Sequence, residues 1–227
     1  SVSSAGNLKF DSSFSHFNAA GAADLRDSIG LVAGRPVWVA GSTHAGEEEI
    51  LLRVHRKLRS VFPDPLLIIA PRNVGRRNEI EVLCSKLGFA CAARSGSEQA
   101  GGKAVYLLDT LGELAKFYSV CDAAFIGGSL VPFGGHNPLE AVGQGIPTCW
   151  GPHFFNFLEI ETALLDSQCC ARVHSEMELA EFLGPKFVKS GQGFVHDKGV
   201  LPFLRSGVSG TIASALIDLL DTGVSAK

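Results

Sequence analysis

The sequence lacks the fingerprints of the commonest nucleotide and hydrolase sites. No GxGxxG run is present, which removes the dinucleotide fingerprint, and no GxxxxGK[ST] run, which removes a P-loop. GxSxG is missing too, because Gly128-Ser129-Leu130 lacks the frame of a nucleophile elbow. The six cysteines are Cys84, Cys91, Cys121, Cys149, Cys169 and Cys170. None forms a CxxC pair and most lie in apolar runs, so they read as buried free thiols of a reducing compartment, not as metal ligands. No apolar stretch reaches membrane-spanning length, and no signal peptide opens the chain. Net charge is -3 and pI about 6.2, which argues against a nucleic-acid partner.

What is present is a well-filled α/β pattern. The 227 residues are 46% hydrophobic, enough for a real core, and read as one domain with loose ends at both termini. Strand-like runs at 36–41, 65–70, 88–93, 105–108, 123–126, 146–150 and 171–173 alternate with helical ones. Helices are predicted at 47–61, 73–87, 112–120, 136–142, 154–165 and 177–182, with a last one carrying Ile212, Leu216, Leu219 and Leu220. The strands are apolar throughout, as when both faces are covered. Such alternation predicts a doubly wound parallel sheet. Arg53, His55, Arg56, Lys57 and Arg59 read as a solvated helix face.

The chemistry concentrates where strands run into helices, at the edge where parallel sheets bind ligands. In residues 125–157 a strand ends in Gly127 and Gly128, a flexible turn follows, then Gly134 and Gly135. His136 and Asn137 stand at a helix start, Pro138 is an early helical residue, and Glu140 lies in the first turn. Glycines let backbone approach a ligand, and helix starts offer N–H groups to phosphate. A carboxylate there can accept from a sugar diol. The run reads as a nucleotide-sugar pocket. Gly41 to Glu49 is a second such junction, in which Ser42 or Thr43 caps the helix, the glutamates suit its positive end, and His44 is surplus to capping. Pro71-Arg72 places a cation directly after a strand. At Asp109 to Leu114, Gly112 and Glu113 could hold a base or ribose. His44, His136 and His153 have no metal-ligand spacing, so no metal is expected.

These motifs, in order, are similar to a known family: GNLKFD at 6–11, GSTHAGEEE at 41–49, APR at 70–72, DTLGELAKFY at 109–118, FIGGSLVPFGGHNPLEA at 125–141 and GPHFFNF at 151–157. Over residues 6 to about 185 the chain resembles the C-terminal half of the 3-deoxy-D-manno-octulosonic acid (Kdo) transferases of lipopolysaccharide synthesis. The tail after Gly184 matches poorly. Ala45 and Asn73 depart from the family pattern, which commonly has Glu and His there.

The resemblance implies a Rossmann-like sheet forming the C-terminal half of a GT-B glycosyltransferase. The donor would be CMP-Kdo and the acceptor a lipid A precursor, with no cofactor or metal. The family's nucleotide contacts fall on Pro71, Arg72, Leu111, Gly112, Glu113, Asn137, Pro138, Leu139 and Glu140. Lys9 matches a lysine that steadies the leaving phosphate. Ser42, His44, Gly134, Gly135 and His136 are candidates for the donor site. The base, the acceptor surface and the contact with the cytoplasmic face of the inner membrane would belong to an N-terminal domain. This chain alone is then expected to bind donor without transferring it. The alternatives are a UDP-sugar enzyme of the same fold, a stand-alone nucleotide-binding module, and a hydrolase using His44 and Glu47.

Overall fold

The computed structural model describes residues 19–166 and 169–188. Lys9, the GNLKFD motif and the expected last helix lie outside the described residues. Among the described residues one parallel sheet holds β1 (Val37–Thr43), β2 (Leu66–Pro71), β3 (Cys91–Ala93), β4 (Val105–Leu107), β5 (Ala123–Ile126), β6 (Thr148–Trp150) and β7 (Cys170–Arg172). Their order is β3-β4-β2-β1-β5-β6-β7, and every pairing is parallel. The helices are α1 (Ala19–Ser28), α2 (Glu47–Val61), α3 (Arg77–Lys86), α4 (Leu114–Tyr118), α5 (Leu139–Gly143), α6 (Leu158–Asp166) and α7 (Glu176–Val188). The doubly wound expectation holds.

Strand side chains point alternately to the two faces, so one strand feeds two cores. Val37 and Val39 of β1 join Leu66 and Ile68 of β2 in one cluster, with Leu25, Phe117 and Leu164 from helices and Ile29 from the turn after α1. Trp38 and Ala40 join Leu67 and Ile69 in the other, with Leu51, Leu58, Ile80 and Leu183. All the β1 and β2 residues named are fully buried. That is why the runs are apolar without alternation.

Helix starts differ from expectation for local reasons. Asn73 accepts a hydrogen bond from Gly75 N at 3.0 Å, which makes Val74–Arg76 a 3-10 turn and delays α3 to Arg77. Gly112, at φ 77°, keeps its loop out of the helix, and α4 starts at Leu114. The run expected to be helical from 154 opens as a 3-10 turn, Phe155–Phe157, before α6. Helix α1 was not expected; its alanine-rich sequence buries only a narrow stripe at Leu25. His55 is a correction, because it is fully buried and not solvated. Trp38 Nε1 donates to His55 Nδ1 at 3.1 Å, and His55 Nε2 faces Ala104 O at 2.9 Å. Burial holds its pKa down at about 3, so it stays neutral. The cysteines are free thiols, with Cys84, Cys121, Cys149 and Cys170 buried. No helix among the described residues is long and apolar enough to cross a membrane.

One close approach fixes the centre of the sheet's carboxyl edge. Ser42 sits at φ 57° in a register shift between Gly41 and Thr43. Its carbonyl would lie 2.5 Å from a Cβ placed on Gly127, and backbone cannot give way as a side-chain tip can. Gly127→Ala is therefore expected to destabilise the protein by about 1–3 kcal/mol, the usual range for overpacking, as read by urea denaturation. An unchanged midpoint would show that the β1 bulge can relax.

Candidate functional site

Strand β1 lies beside both β2 and β5, and the chain builds outwards from it in opposite directions. The carboxyl ends of β1 and β5 thus flank a topological switch point, where open α/β sheets bind ligands. The loops after β1 and β5 carry His44 and His136.

The first of these loops is not held as a capped helix. The residue before α2 is Gly46, at φ 94°, and no side chain caps it. Thr43 Oγ1 donates instead to Glu48 Oε1 at 2.8 Å, and Arg76 grips the same carboxylate at 2.7 and 3.1 Å. Glu47 is fully buried. Its Oε2 accepts from the N–H groups of His44 at 2.9 Å and Gly128 at 2.7 Å. Its Oε1 accepts from Ser129 N at 3.0 Å and Leu130 N at 2.9 Å. An acid taken from water is thus met by four backbone donors. Ser129 extends the clamp, since its Oγ donates to Ile126 O at 2.5 Å and accepts from Gly151 N at 2.8 Å.

The second loop is pinned as well, so it is not the flexible turn expected. Asn156 N donates to Gly134 O at 3.0 Å, and its side-chain amide reaches Phe133 O at 3.2 Å and Gly135 O at 3.3 Å. A Cβ on Gly134 would lie 2.5 Å from Asn156 Nδ2, and one on Gly135 would lie 2.3 Å from the Phe154 ring. These glycines are required first by packing against the GPHFFNF segment. Asn137 Oδ1 accepts from Leu139 N at 3.1 Å, and Pro138 has no N–H. The start of α5 therefore offers fewer donors than the sequence suggested.

The remaining candidates line the same edge. His44 Nε2 and His136 Nε2 lie 2.8 Å apart, and Phe133 stacks on His44 at 4.0 Å. Burial, then His44 and Arg72, lower the His136 pKa to about 4. Pro71 is buried as the last residue of β2, and Arg72 is exposed beyond it, without a salt bridge to any described residue. Across the edge Leu111 is exposed, while Glu113 accepts from Arg94 at 2.9 and 3.2 Å and from Thr110 at 2.5 Å. Arg94 draws the Glu113 carboxyl below its ordinary pKa. What stays open there is the backbone around Gly112. Sequence reasoning missed Arg94 and the clamp role of Glu47; three glutamates in a row gave no signal for which one turns inward.

Glu140 differs from every other acid at this edge. It is half-buried, and it forms no salt bridge with a described residue. Burial raises its pKa. Buried Tyr118 lies close enough for the Glu140 charge to add to the upward shift of its hydroxyl.

No protein-family model matches the chain. The 3-deoxy-D-manno-octulosonic acid transferase of Haemophilus influenzae is 42% identical over 148 residues, 65% of this chain and 35% of that protein. A probable mitochondrial 3-deoxy-D-manno-octulosonic acid transferase of Arabidopsis thaliana is 34% identical over 185 residues, 79% of this chain and 41% of that one. The chain thus spans well under half the length of these curated relatives. Among solved structures, the C-terminal CMP-Kdo binding domain of WaaA from Acinetobacter baumannii superposes with a TM-score of 0.69 at 27% identity. The match covers 87% of this chain and 95% of that domain.

Two stability predictions follow from the two kinds of carboxylate. Glu47→Ala leaves four N–H groups without their acceptor and should cost at least about 3 kcal/mol in chemical denaturation, since each buried unpaired donor costs about 1–3 kcal/mol. A loss under about 1 kcal/mol would mean that water replaces the clamp. For Glu140 the raised pKa means that the folded state holds its proton more tightly than the unfolded state. Its favourable contribution is present below the unfolded pKa and is lost as pH rises through the folded pKa. Glu140→Gln should raise the melting temperature at neutral pH, and the gain should vanish in acid below about pH 4.3, the ordinary glutamate value. A gain independent of pH would refute the electrostatic origin.

Proposed function

We propose, from its 42% identity to a 3-deoxy-D-manno-octulosonic acid transferase and its likeness to a C-terminal CMP-Kdo binding domain, that the chain is the C-terminal, GT-B-type domain of such a transferase and binds the donor CMP-Kdo for transfer of Kdo to a lipid A precursor. The observation that carries the reading is Glu140, a half-buried carboxylate at the switch point with no cation beside it among the described residues. Burying charge without a partner is unfavourable unless a ligand supplies donors. Ribose hydroxyls do so, and bonds to an ionised acceptor are the stronger kind.

In this reading the nucleotide runs along Asn137, Pro138, Leu139 and Glu140 on one side. Pro71 and Arg72 take the phosphate side, and the open backbone at Leu111, Gly112 and Glu113 takes the base. Ser42, Gly134 and Gly135 shape the floor. Lys9 is assigned to the leaving phosphate, where charge grows in the transition state. The transfer is assigned to protein groups, with no resident cofactor. Base, acceptor and contact with the inner membrane's cytoplasmic face are assigned to an N-terminal domain outside these residues.

The test is nucleotide binding by this chain. CMP at about 100 times its dissociation constant should add about 2.7 kcal/mol of stability. Glu140→Ala should lose about 1.5–3 kcal/mol of affinity in calorimetry while remaining folded. A melt unmoved by millimolar-range CMP would refute the donor role. Equal shifts from CMP and UMP would instead favour a UDP-sugar donor.

A further inference from the structure

The loops after β1 and β5 bring His44 Nε2 and His136 Nε2 to 2.8 Å, with the rings parallel to within 1°. A neutral imidazole carries one N–H, so this contact holds a single proton, with one ring donating and the other accepting. Two rings with N–H groups at both Nε2 atoms could not keep it.

The surroundings of the couple come from the loop after β5, from the end of β2 and from α2. Phe133, from the loop after β5, covers His44. Gly128 backs His136 so closely that a Cβ there would lie 3.0 Å from its Cδ2. On the β2 side the charged group is Arg72, exposed and without a described acidic partner, and it disfavours a proton on His136. On the α2 side it is Glu47, whose oxygens are turned to the four backbone N–H groups described above. With the His136 pKa at about 4, that ring is uncharged at neutral pH. Among the described residues no group of three His, Cys, Asp or Glu side chains converges to give the couple a third metal ligand.

We propose that the His44–His136 couple is a proton-coupled subsite for an anionic group of the donor. An anion seated beside Arg72 opens the Nε2–Nε2 contact, and the accepting Nε2 takes one proton from solvent. The couple then holds one imidazolium and one neutral ring, and both Nε2–H groups donate to the anion. The ligand's negative charge offsets the new positive charge and that of Arg72. This inference rests on the donor-binding reading. The anion is either the phosphate of the nucleotide or the carboxylate of the sugar acid, and both have the acceptor geometry the two donors need.

The experiment is titration calorimetry of the 227-residue chain at neutral pH in buffers of different ionisation enthalpy, with cytidine, CMP and CMP-Kdo, on wild type and His136→Gln. Subtracting the variant removes the titration of the ligand itself. Wild type should take up as much as one proton more per anionic ligand than His136→Gln does, and no more with cytidine. An excess with CMP identifies the phosphate; an excess with CMP-Kdo alone identifies the carboxylate. In nitrogen NMR of the wild-type rings, one Nε2 resonance should move from acceptor to N–H donor on saturation. That readout stands even if the variant fails to fold. Normal binding with no excess uptake and unmoved ring resonances overturns the subsite and leaves the donor reading intact. Absence of any CMP binding by folded wild type overturns both.

Discussion

A buried carboxylate gripped by backbone alone among the described residues holds the carboxyl edge of this sheet together. Glu47 gathers N–H groups from His44 and from Gly128, Ser129 and Leu130, so it joins the loops after β1 and β5 across the switch point. The geometry requires acceptors on both side-chain oxygens. Two carboxylate oxygens offer about four acceptor sites, whereas the amide of a glutamine would turn donors toward donors on one side. The rest of the edge depends on this grip. It orients the backbone of His44, sets the turn behind His136, and places Ser129 where its hydroxyl receives Gly151 N from the loop after β6. Three loops that would otherwise move separately share one anchor.

The acids of the edge divide by whether their lone pairs are met. Glu47 is satisfied by backbone, Glu48 by Thr43 and Arg76, and Glu113 by Arg94 and Thr110. Glu140 is half-buried with no described cation, and burial raises its pKa. The satisfied acids stabilise the fold; the unsatisfied one lowers stability at neutral pH. A protein keeps such a group where function uses it. Ser42, held at positive φ where the β1 and β5 backbones touch, is a second instance of local strain beside the same crevice.

The sheet was legible because its central strands are short and largely apolar and most are separated by helical runs. Residues 47–61 and 123–126 match the observed bounds of α2 and β5. Helix starts were less legible, because they turn on single side-chain bonds such as Asn73 to Gly75, which no hydrophobic period records. The candidate residues were found by their place after strands, and the structure does bring His44, Arg72, His136 and Glu140 to one edge. Their partners were not visible. Nothing in the spacing of Glu47 announces three backbone donors from a loop about eighty residues away, and nothing near Glu113 announces Arg94. Gly134 and Gly135 were read for ligand access, yet the atoms filling the space beside them are those of Phe154, Phe155 and Asn156.

Helix dipoles contribute less to this site than the motif suggested. Helices α4 and α5 have five residues each, barely more than a turn, so few peptide dipoles add along either axis. At α5 one of the early N–H groups is taken by Asn137 and another does not exist at Pro138. The site must therefore get its precision from loops, and loops rich in glycine lose the most entropy on ordering. The opposing enthalpy is visible in specific bonds: Glu47 on Gly128, Asn156 on both sides of Gly134, and Gly135 N on Gly128 O at 2.8 Å. These bonds join protein to protein, so the order of the loops is supported by the fold itself. A site built in this way has its backbone held by the fold, and its freedom lies in side chains without such bonds, Arg72 and Glu140 among them.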